Sequence, residues 1–184
     1  MPVKVTRTEI PDVLLLEPQA ISDERGFLLE SWREEWFTSL DLPARFVQDN
    51  HSHSVQGTLR GLHYQLERPQ GKLVRVVSGK VYDVAVDLRR SSPTFGRWVG
   101  DLLSAQEHRQ LWIPPGFAHG FYVLSPTADL LYKCTEYYVA PYDRTIRWDD
   151  PDLAINWPLQ QGCSPRLSAK DASAPRLSDA PTYS

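Results

Sequence analysis

Cysteine is scarce in this chain: Cys134 and Cys163 are the two in 184 residues. Two thiols are too few for a disulfide framework, and their spacing matches no metal knuckle. We read them as reduced thiols. No apolar run approaches the ~20 residues that a membrane-spanning helix needs, and the N-terminus lacks the hydrophobic core of a secretion signal. An excess of one charge is missing as well. Twenty Lys and Arg stand against twenty-three Asp and Glu, a formal charge of −3, which leaves no basic footprint for nucleic acid. Internal repeats and long low-complexity tracts are also lacking. These absences point to a cytoplasmic protein that engages neither membrane nor nucleic acid.

What is present is ordinary globular composition, 41% hydrophobic and 23% charged. At 21.0 kDa one domain of this size buries roughly 70% of the surface its unfolded chain exposes, enough for a core without staples. We take 1–184 as a single domain. Its last part, 164–184, turns to Ser, Ala, Pro and Asp and has the composition of a disordered tail. Fifteen prolines and ten glycines spread along the chain favour many short strands over long helices. The apolar and β-branched runs predict strands over 73–77 and 80–88, joined as a hairpin through Ser78-Gly79, and over 98–103, 110–113, 121–124 and 130–138. One short helix is expected over 32–40, opened by the Ser31/Glu34 capping-box spacing and closed before Pro43. Close-spaced strands without a long helix indicate an antiparallel sandwich or barrel.

Ionisable residues inside strand-like segments mark where chemistry could sit, because burying an unpaired charge is costly. Four segments qualify: Gln48-Asp49-Asn50-His51, Arg60-Gly61-Leu62-His63-Tyr64-Gln65, Gln70-Gly71-Lys72, and Pro114-x-Gly116-Phe117-Ala118-His119-Gly120. Strand alternation puts His63 and Gln65 on one face, and Lys72 with Val74 on one face of another strand. Such a set suits a lined cavity better than a core. Taken singly, each residue has a plain structural reading: satisfied core histidines, solvated edge-strand cations, a wall tyrosine, a tail carboxylate. His51 and His53 have the spacing of a metal pair, and we read His53 as a surface residue.

Gly57, His63-Tyr64-Gln65, Lys72 and Gly79 resemble the first cupin motif, and Pro114-x-Gly116-x-x-His119 resembles the second. Metal-binding cupins place a second His where Gln65 stands and a Glu where Lys72 stands. An ammonium repels a divalent cation and offers it no lone pair, so the resemblance implies an all-β, cupin-like jelly roll without a metal.

A more specific series runs through Arg25-Gly26-Phe27-x-x-Glu30, Phe46-Val47-Gln48-Asp49-Asn50-His51-Ser52, Leu59-Arg60-Gly61-Leu62-His63-Tyr64-Gln65 and Gln70-Gly71-Lys72-Leu73-Val74-Arg75. It continues through the segment 112–121, Leu131-Tyr132-Lys133 and Trp148-x-Asp150-Pro151. In this order, over about 5–172, the blocks are similar to the dTDP-4-dehydrorhamnose 3,5-epimerase family. The resemblance implies a cofactor-free isomerase that inverts carbons 3 and 5 of a dTDP-linked 4-keto-6-deoxyhexose. It implies His63 as the base, Asp171 as the carboxylate that orients it, Lys72 at the enolate oxygen, and Tyr132 as the acid on the opposite face. Arg60 and Arg25 resemble pyrophosphate contacts, and Gln48, Asp49 and Asn50 a block near nucleotide and sugar. Glu30, His119 and Lys170 match further contacts, and Asp143 stands where the family usually carries Glu. Phe27 and Tyr138 are the candidates to stack on thymine. Family members are homodimers whose N-terminal segment crosses to the partner, so Arg25 and Glu30 are expected to complete the neighbour's site.

Overall fold

Alternating apolar residues in short runs give strands that must bury one face, and here two sheets do so against each other. The computed structural model describes residues 3–160 and 162–184. In chain order its strands are β1 (Val3–Arg7), β2 (Leu14–Pro18), β3 (Ala20–Asp23), β4 (Gly26–Leu29), β5 (Gln48–Val55), β6 (Leu59–Gln65), β7 (Lys72–Ser78), β8 (Lys80–Asp87), β9 (Trp98–Ser104), β10 (Gln110–Ile113), β11 (Phe117–Val123), β12 (Thr127–Cys134) and β13 (Asp143–Thr145). Helix α1 (Glu34–Thr38) follows β4, and α2 (Ala169–Ala172) lies near the C-terminus. A six-stranded sheet has the order β1-β2-β10-β7-β12-β5 and a five-stranded one β13-β6-β11-β8-β9, while β3 and β4 form a separate two-stranded ribbon. This is the jelly-roll architecture expected.

Three apolar layers explain why several strands read as unbroken hydrophobic runs. Val74 and Val76 of β7 face Val81 and Ala85 of β8, Phe121 of β11 and Leu130 of β12 between the sheets. Leu73, one residue along, points outward and packs under Trp36, Phe37 and Trp112 with α1. Behind the five-stranded sheet, Val84 and Val86 meet Leu153, Leu177 and Ala180. Both faces of each central strand are therefore covered, so alternation of polar and apolar residues fades.

Four sequence expectations need correction. β7 and β8 do not form a hairpin: β7 pairs with β10 and β12, β8 with β9 and β11. Ser78-Gly79 is a corner where the chain changes sheet. Gly79 has φ +78°, and a Cβ there would lie 2.1 Å from the Thr127 carbonyl oxygen, so the corner closes only around glycine. The helix begins at Glu34 with Arg33 as its N-cap and no side-chain cap. Ser31 lies upstream of that cap, its carbonyl taking the amide of Gln110 at 2.8 Å. The strand expected over 130–138 ends at Cys134, because the backbone beyond it is drawn aside by Gln48 and Gln65, which accept from Tyr138 N and Val139 N.

The fourth correction concerns the tail. Polar composition notwithstanding, 164–184 is sewn down along its length. Arg166 exchanges backbone bonds with Gly57 and Leu59. Leu177 N donates to the buried Asp150 at 2.7 Å, which gives the Trp148-x-Asp150-Pro151 motif its structural role. Tyr64 donates its hydroxyl to the Pro181 carbonyl at 2.5 Å, and Tyr183 donates to that of Gln65 at 2.6 Å.

At the end of β8 the fully buried Asp87 gathers the turn that follows it. It accepts from Arg89 Nε and Nη2 at 2.9 and 2.7 Å, and from the Ser92 and Thr94 hydroxyls, both at 2.6 Å. Burial works to raise its pKa, but the Arg89, Ser92 and Thr94 donors outweigh it and hold the carboxyl down at about 2. A depressed folded-state pKa stabilises above the unfolded value and loses that contribution as the carboxyl protonates. We predict that Asp87→Asn lowers the unfolding free energy at neutral pH by about 2 kcal/mol. In urea titrations the gap between the two proteins should close as pH falls from about 4 toward about 2.

Candidate active site

Regular alternation would put Arg60 and His63 on opposite faces of β6. The strand is not regular. His119 of β11 faces His63, but Phe121 faces Arg60, so β6 carries one extra residue between them. The bulge falls at Gly61, φ +121°, where a Cβ would stand 2.6 Å from Gly120 Cα and 2.7 Å from the His119 carbonyl oxygen. Its effect is that Arg60, His63 and Gln65 all border one cavity of about 390 Å³ between the sheets.

The six-stranded sheet contributes Gln48, Asn50 and Ser52 from β5, Lys72 from β7 and Tyr132 from β12. The five-stranded sheet adds His119 and Phe121, with Asp143 from β13; Gln70, Tyr138 and Lys170 complete the lining. His63 and Tyr132 thus come from opposite walls.

Behind His63, α2 presents Asp171, 3% exposed, whose Oδ1 lies 2.5 Å from His63 Nε2. Ser168, the N-cap of α2, donates its hydroxyl to the other carboxylate oxygen at 2.8 Å and accepts from Asp171 N at 3.1 Å. Burial pushes the Asp171 carboxyl up, but the His63 hydrogen bond and charge outweigh it, so the carboxyl is held below its ordinary value. With Nε2 engaged, Nδ1 is the ring nitrogen left to the cavity.

Among the described residues, the charges around this cavity are paired with two exceptions, Lys72 and Arg60. Asp171 is taken by His63, Asp83 by His119 Nε2 at 2.9 Å, and Asp143 by Lys170 and the Tyr138 hydroxyl. Lys72 is buried with no carboxylate; the acceptor at its Nζ is the His63 carbonyl, 3.5 Å away. Burial lowers its pKa, partly offset by Cys134, Asp143 and Asp83. Arg60 also lacks a carboxylate, donating to Ser54 Oγ and the His53 carbonyl. Burial raises the Tyr132 pKa, which keeps that hydroxyl protonated and able to donate.

Four expected residues are not brought to this cavity. Asp49 points to the outer face of β5 and pairs with Lys133 at 3.0 Å. Arg25 pairs with Asp23 at 2.6 Å, Phe27 is 59% exposed beside the His108 ring, and Glu30 pairs with Arg33. Gln65, expected at a cupin ligand position, spends its amide on Arg68 O, Tyr137 O and Val139 N. Among the described residues no three His, Cys, Asp or Glu side chains are grouped to hold a metal. His51 and His53 both turn to Asp129 on the outer face. Sequence reasoning carried Ser52, Gln70 and Phe121 inside its motif blocks without assigning them a role, and missed Asp83 and Ser168. A serine three residues before Asp171 carried an N-cap signal, and Asp83 stood out as a carboxylate inside a valine-rich strand.

Acid–base chemistry within a jelly roll is the class that this arrangement defines. The chain belongs to the dTDP-4-dehydrorhamnose 3,5-epimerase family, whose model matches residues 7–179. It is 54% identical over 182 residues to the dTDP-4-dehydrorhamnose 3,5-epimerase of Pseudomonas aeruginosa, covering 98% of this chain and 99% of that one. The counterpart in Salmonella typhimurium is 55% identical over 178 residues, 96% of each chain. A Legionella pneumophila dTDP-6-deoxy-D-glucose-3,5-epimerase, solved in complex with dTDP-4-keto-L-rhamnose, superposes with a TM-score of 0.94 at 50% identity, over 98% of this chain and 95% of that one.

Ser168→Ala removes both the α2 cap and one of the two bonds that aim Asp171. We expect a loss of about 1 kcal/mol in urea unfolding. A fall in kcat with unchanged affinity for dTDP should accompany it; retained kcat would show that Asp171 is aimed without Ser168.

Proposed function

We propose that this protein converts dTDP-4-dehydro-6-deoxy-D-glucose to dTDP-4-dehydro-L-rhamnose by inverting carbons 3 and 5. The observation that carries this reading is Lys72, a buried ammonium without a carboxylate, on the same wall as a protonated tyrosine and across the cavity from a His–Asp pair. Such a cation suits an oxygen that becomes negative during the reaction.

The 4-keto group makes the hydrogens on carbons 3 and 5 acidic. His63 takes one as a proton, the electron pair of the broken C–H bond moves to the C4 oxygen, and Lys72 stabilises the enolate. Tyr132 then gives its hydroxyl proton to the carbon from the other side, which inverts the centre. Solvent takes the proton from His63 and restores that of Tyr132, so both groups return to their starting states. Delivery of base and acid from different sheets supports this division of roles. Asp171 keeps Nε2 of His63 hydrogenated so that Nδ1 is the basic atom.

Arg60, held on β5 but free of carboxylates, binds the pyrophosphate. Gln48, Asn50, His119, Asp143 and Lys170 contact sugar or nucleotide, and Tyr138, 54% exposed at the rim, stacks on thymine. The β3–β4 hairpin exposes Ile21, Phe27 and Leu28, which supports a homodimer in which Arg25, Phe27 and Glu30 complete the partner's cavity. Asp49 joins the site through its backbone or the same interface. The whole chain acts as one domain in the cytoplasm, with 164–184 supplying Asp171.

Incubation with the substrate in deuterium oxide, followed by NMR and mass spectrometry, is the test. Deuterium at carbons 3 and 5 with inverted configuration is expected. Label at one carbon alone would reduce the activity to a single-centre epimerase, and no label from protein that binds dTDP would overturn the reading. His63→Ala should abolish exchange while dTDP binding persists, and Tyr132→Phe should retain more exchange than product formation. Arg60→Ala should weaken nucleotide binding by roughly 1.5–3 kcal/mol, the range for a hydrogen bond to a charged group.

A further inference from the structure

The run Val81-Tyr82-Asp83-Val84-Ala85-Val86 places a carboxylate in one of the most apolar strands of the chain. Asp83 is 0% exposed, and a buried carboxylate is costly unless a donor or cation answers it. Its hydrogen-bond partner is His119 Nε2, 2.9 Å from each of its two oxygens.

The sheet register explains the encounter. Asp83 faces Phe121, and His119 faces Ala85, so the two are diagonal neighbours on the inner face of β8 and β11. His119 in turn faces His63 across the next strand pair. Two imidazoles therefore stand side by side in the cavity wall, each with Nε2 on a carboxylate. Asp171 reaches His63 from α2, and Asp83 reaches His119 from β8.

We propose that Asp83 is a positioning residue for the reaction, fixing His119 with Nε2 as donor and Nδ1 toward the sugar, and standing as a counter-charge to the lone ammonium of Lys72. The charged and titratable groups around Lys72 are Cys134 and Tyr132 from β12, Asp143 from β13, Asp83 from β8, Lys170 from α2, Arg60 and Tyr64 from β6, Tyr138 at the rim, and the two imidazoles. Burial drives the Lys72 proton off; the negative charge of Asp83 opposes this. Without that charge Lys72 deprotonates at lower pH, and the enolate loses its cation. The catalytic consequence rests on the epimerase reading, whereas the hydrogen bond stands apart from it.

Asp83→Asn, His119→Asn and the double variant test this, with kcat and KM measured across pH. Asp83→Asn should lower kcat by about ten- to a hundredfold, the cost of a misaligned reacting group, with KM for the sugar nucleotide little changed. Its alkaline limb should move to lower pH. The double variant should be no slower than His119→Asn alone. Additive losses, or an alkaline limb that does not move, would overturn the proposal. Nitrogen-15 NMR of the unaltered protein provides a readout that no folding defect can mask. His119 should carry hydrogen on Nε2, and hydrogen on Nδ1 alone would overturn the proposal even in an active enzyme. Wild-type protein with hydrogen on Nε2 that exchanges no deuterium would overturn the epimerase reading, and the catalytic role of Asp83 with it.

Discussion

An ammonium shut away from water without a carboxylate is the constraint around which this molecule is arranged. Lys72 sits in the wall of the six-stranded sheet, and two carboxylates, Asp143 and Asp83, act on its charge. Each is committed elsewhere: Asp83 to His119, Asp143 to Lys170 and Tyr138. Desolvation of a charge is costly, and a direct ion pair would relieve it most. The structure instead supplies diffuse negative potential from Asp143 and Asp83 and leaves the Nζ hydrogens for an incoming oxygen. On the proposed reading, that oxygen is the one on which charge accumulates.

The same arrangement explains the irregularity of β6. A straight strand would show His63 and Gln65 to the cavity and turn Arg60 away, separating the phosphate contact from the base. The extra residue at Gly61 restores Arg60 to the inner face. It works only because both strands lack side chains at the crossing, Gly61 against Gly120. Local backbone chemistry thus sets the distance between a charge-binding group and a proton-transfer group, and the rest of the sheet keeps its register.

Much of this was legible in the residues. Short β-branched runs with frequent turn-formers gave away the sandwich, and ionisable residues inside those runs pointed to His63, Lys72 and His119. What stayed hidden was non-local. Ser78-Gly79 has the local look of a hairpin, but which sheet each flanking strand joins is decided by partners as distant as Cys134 from Lys72 and Val123 from Val81. The bulge reverses a face, and alternation cannot announce its own failure. Asp49 enters the expected block through the family resemblance alone, whereas a period of two sends its side chain to the other face, where Lys133 meets it.

The C-terminal segment shows how composition misleads about order and why that bears on chemistry. A stretch rich in Ser, Ala, Pro and Asp has little to bury, and propensity alone leaves it loose. Here a few anchors suffice. Leu177 and Ala180 fill the layer behind the five-stranded sheet, and Tyr183 closes on β6 through its hydroxyl. Asp150 holds the segment midway, through Leu177 N. These contacts lie on the far side of β6 from the cavity, whereas Asp171 reaches round to its inner face. The base is therefore assembled across a strand: β6 supplies the imidazole, and a segment packed on its reverse supplies the carboxylate. Any loosening of the tail exposes apolar surface behind the sheet and unseats Asp171 together, so the stability of that outer layer and the aim of His63 are one property of the fold.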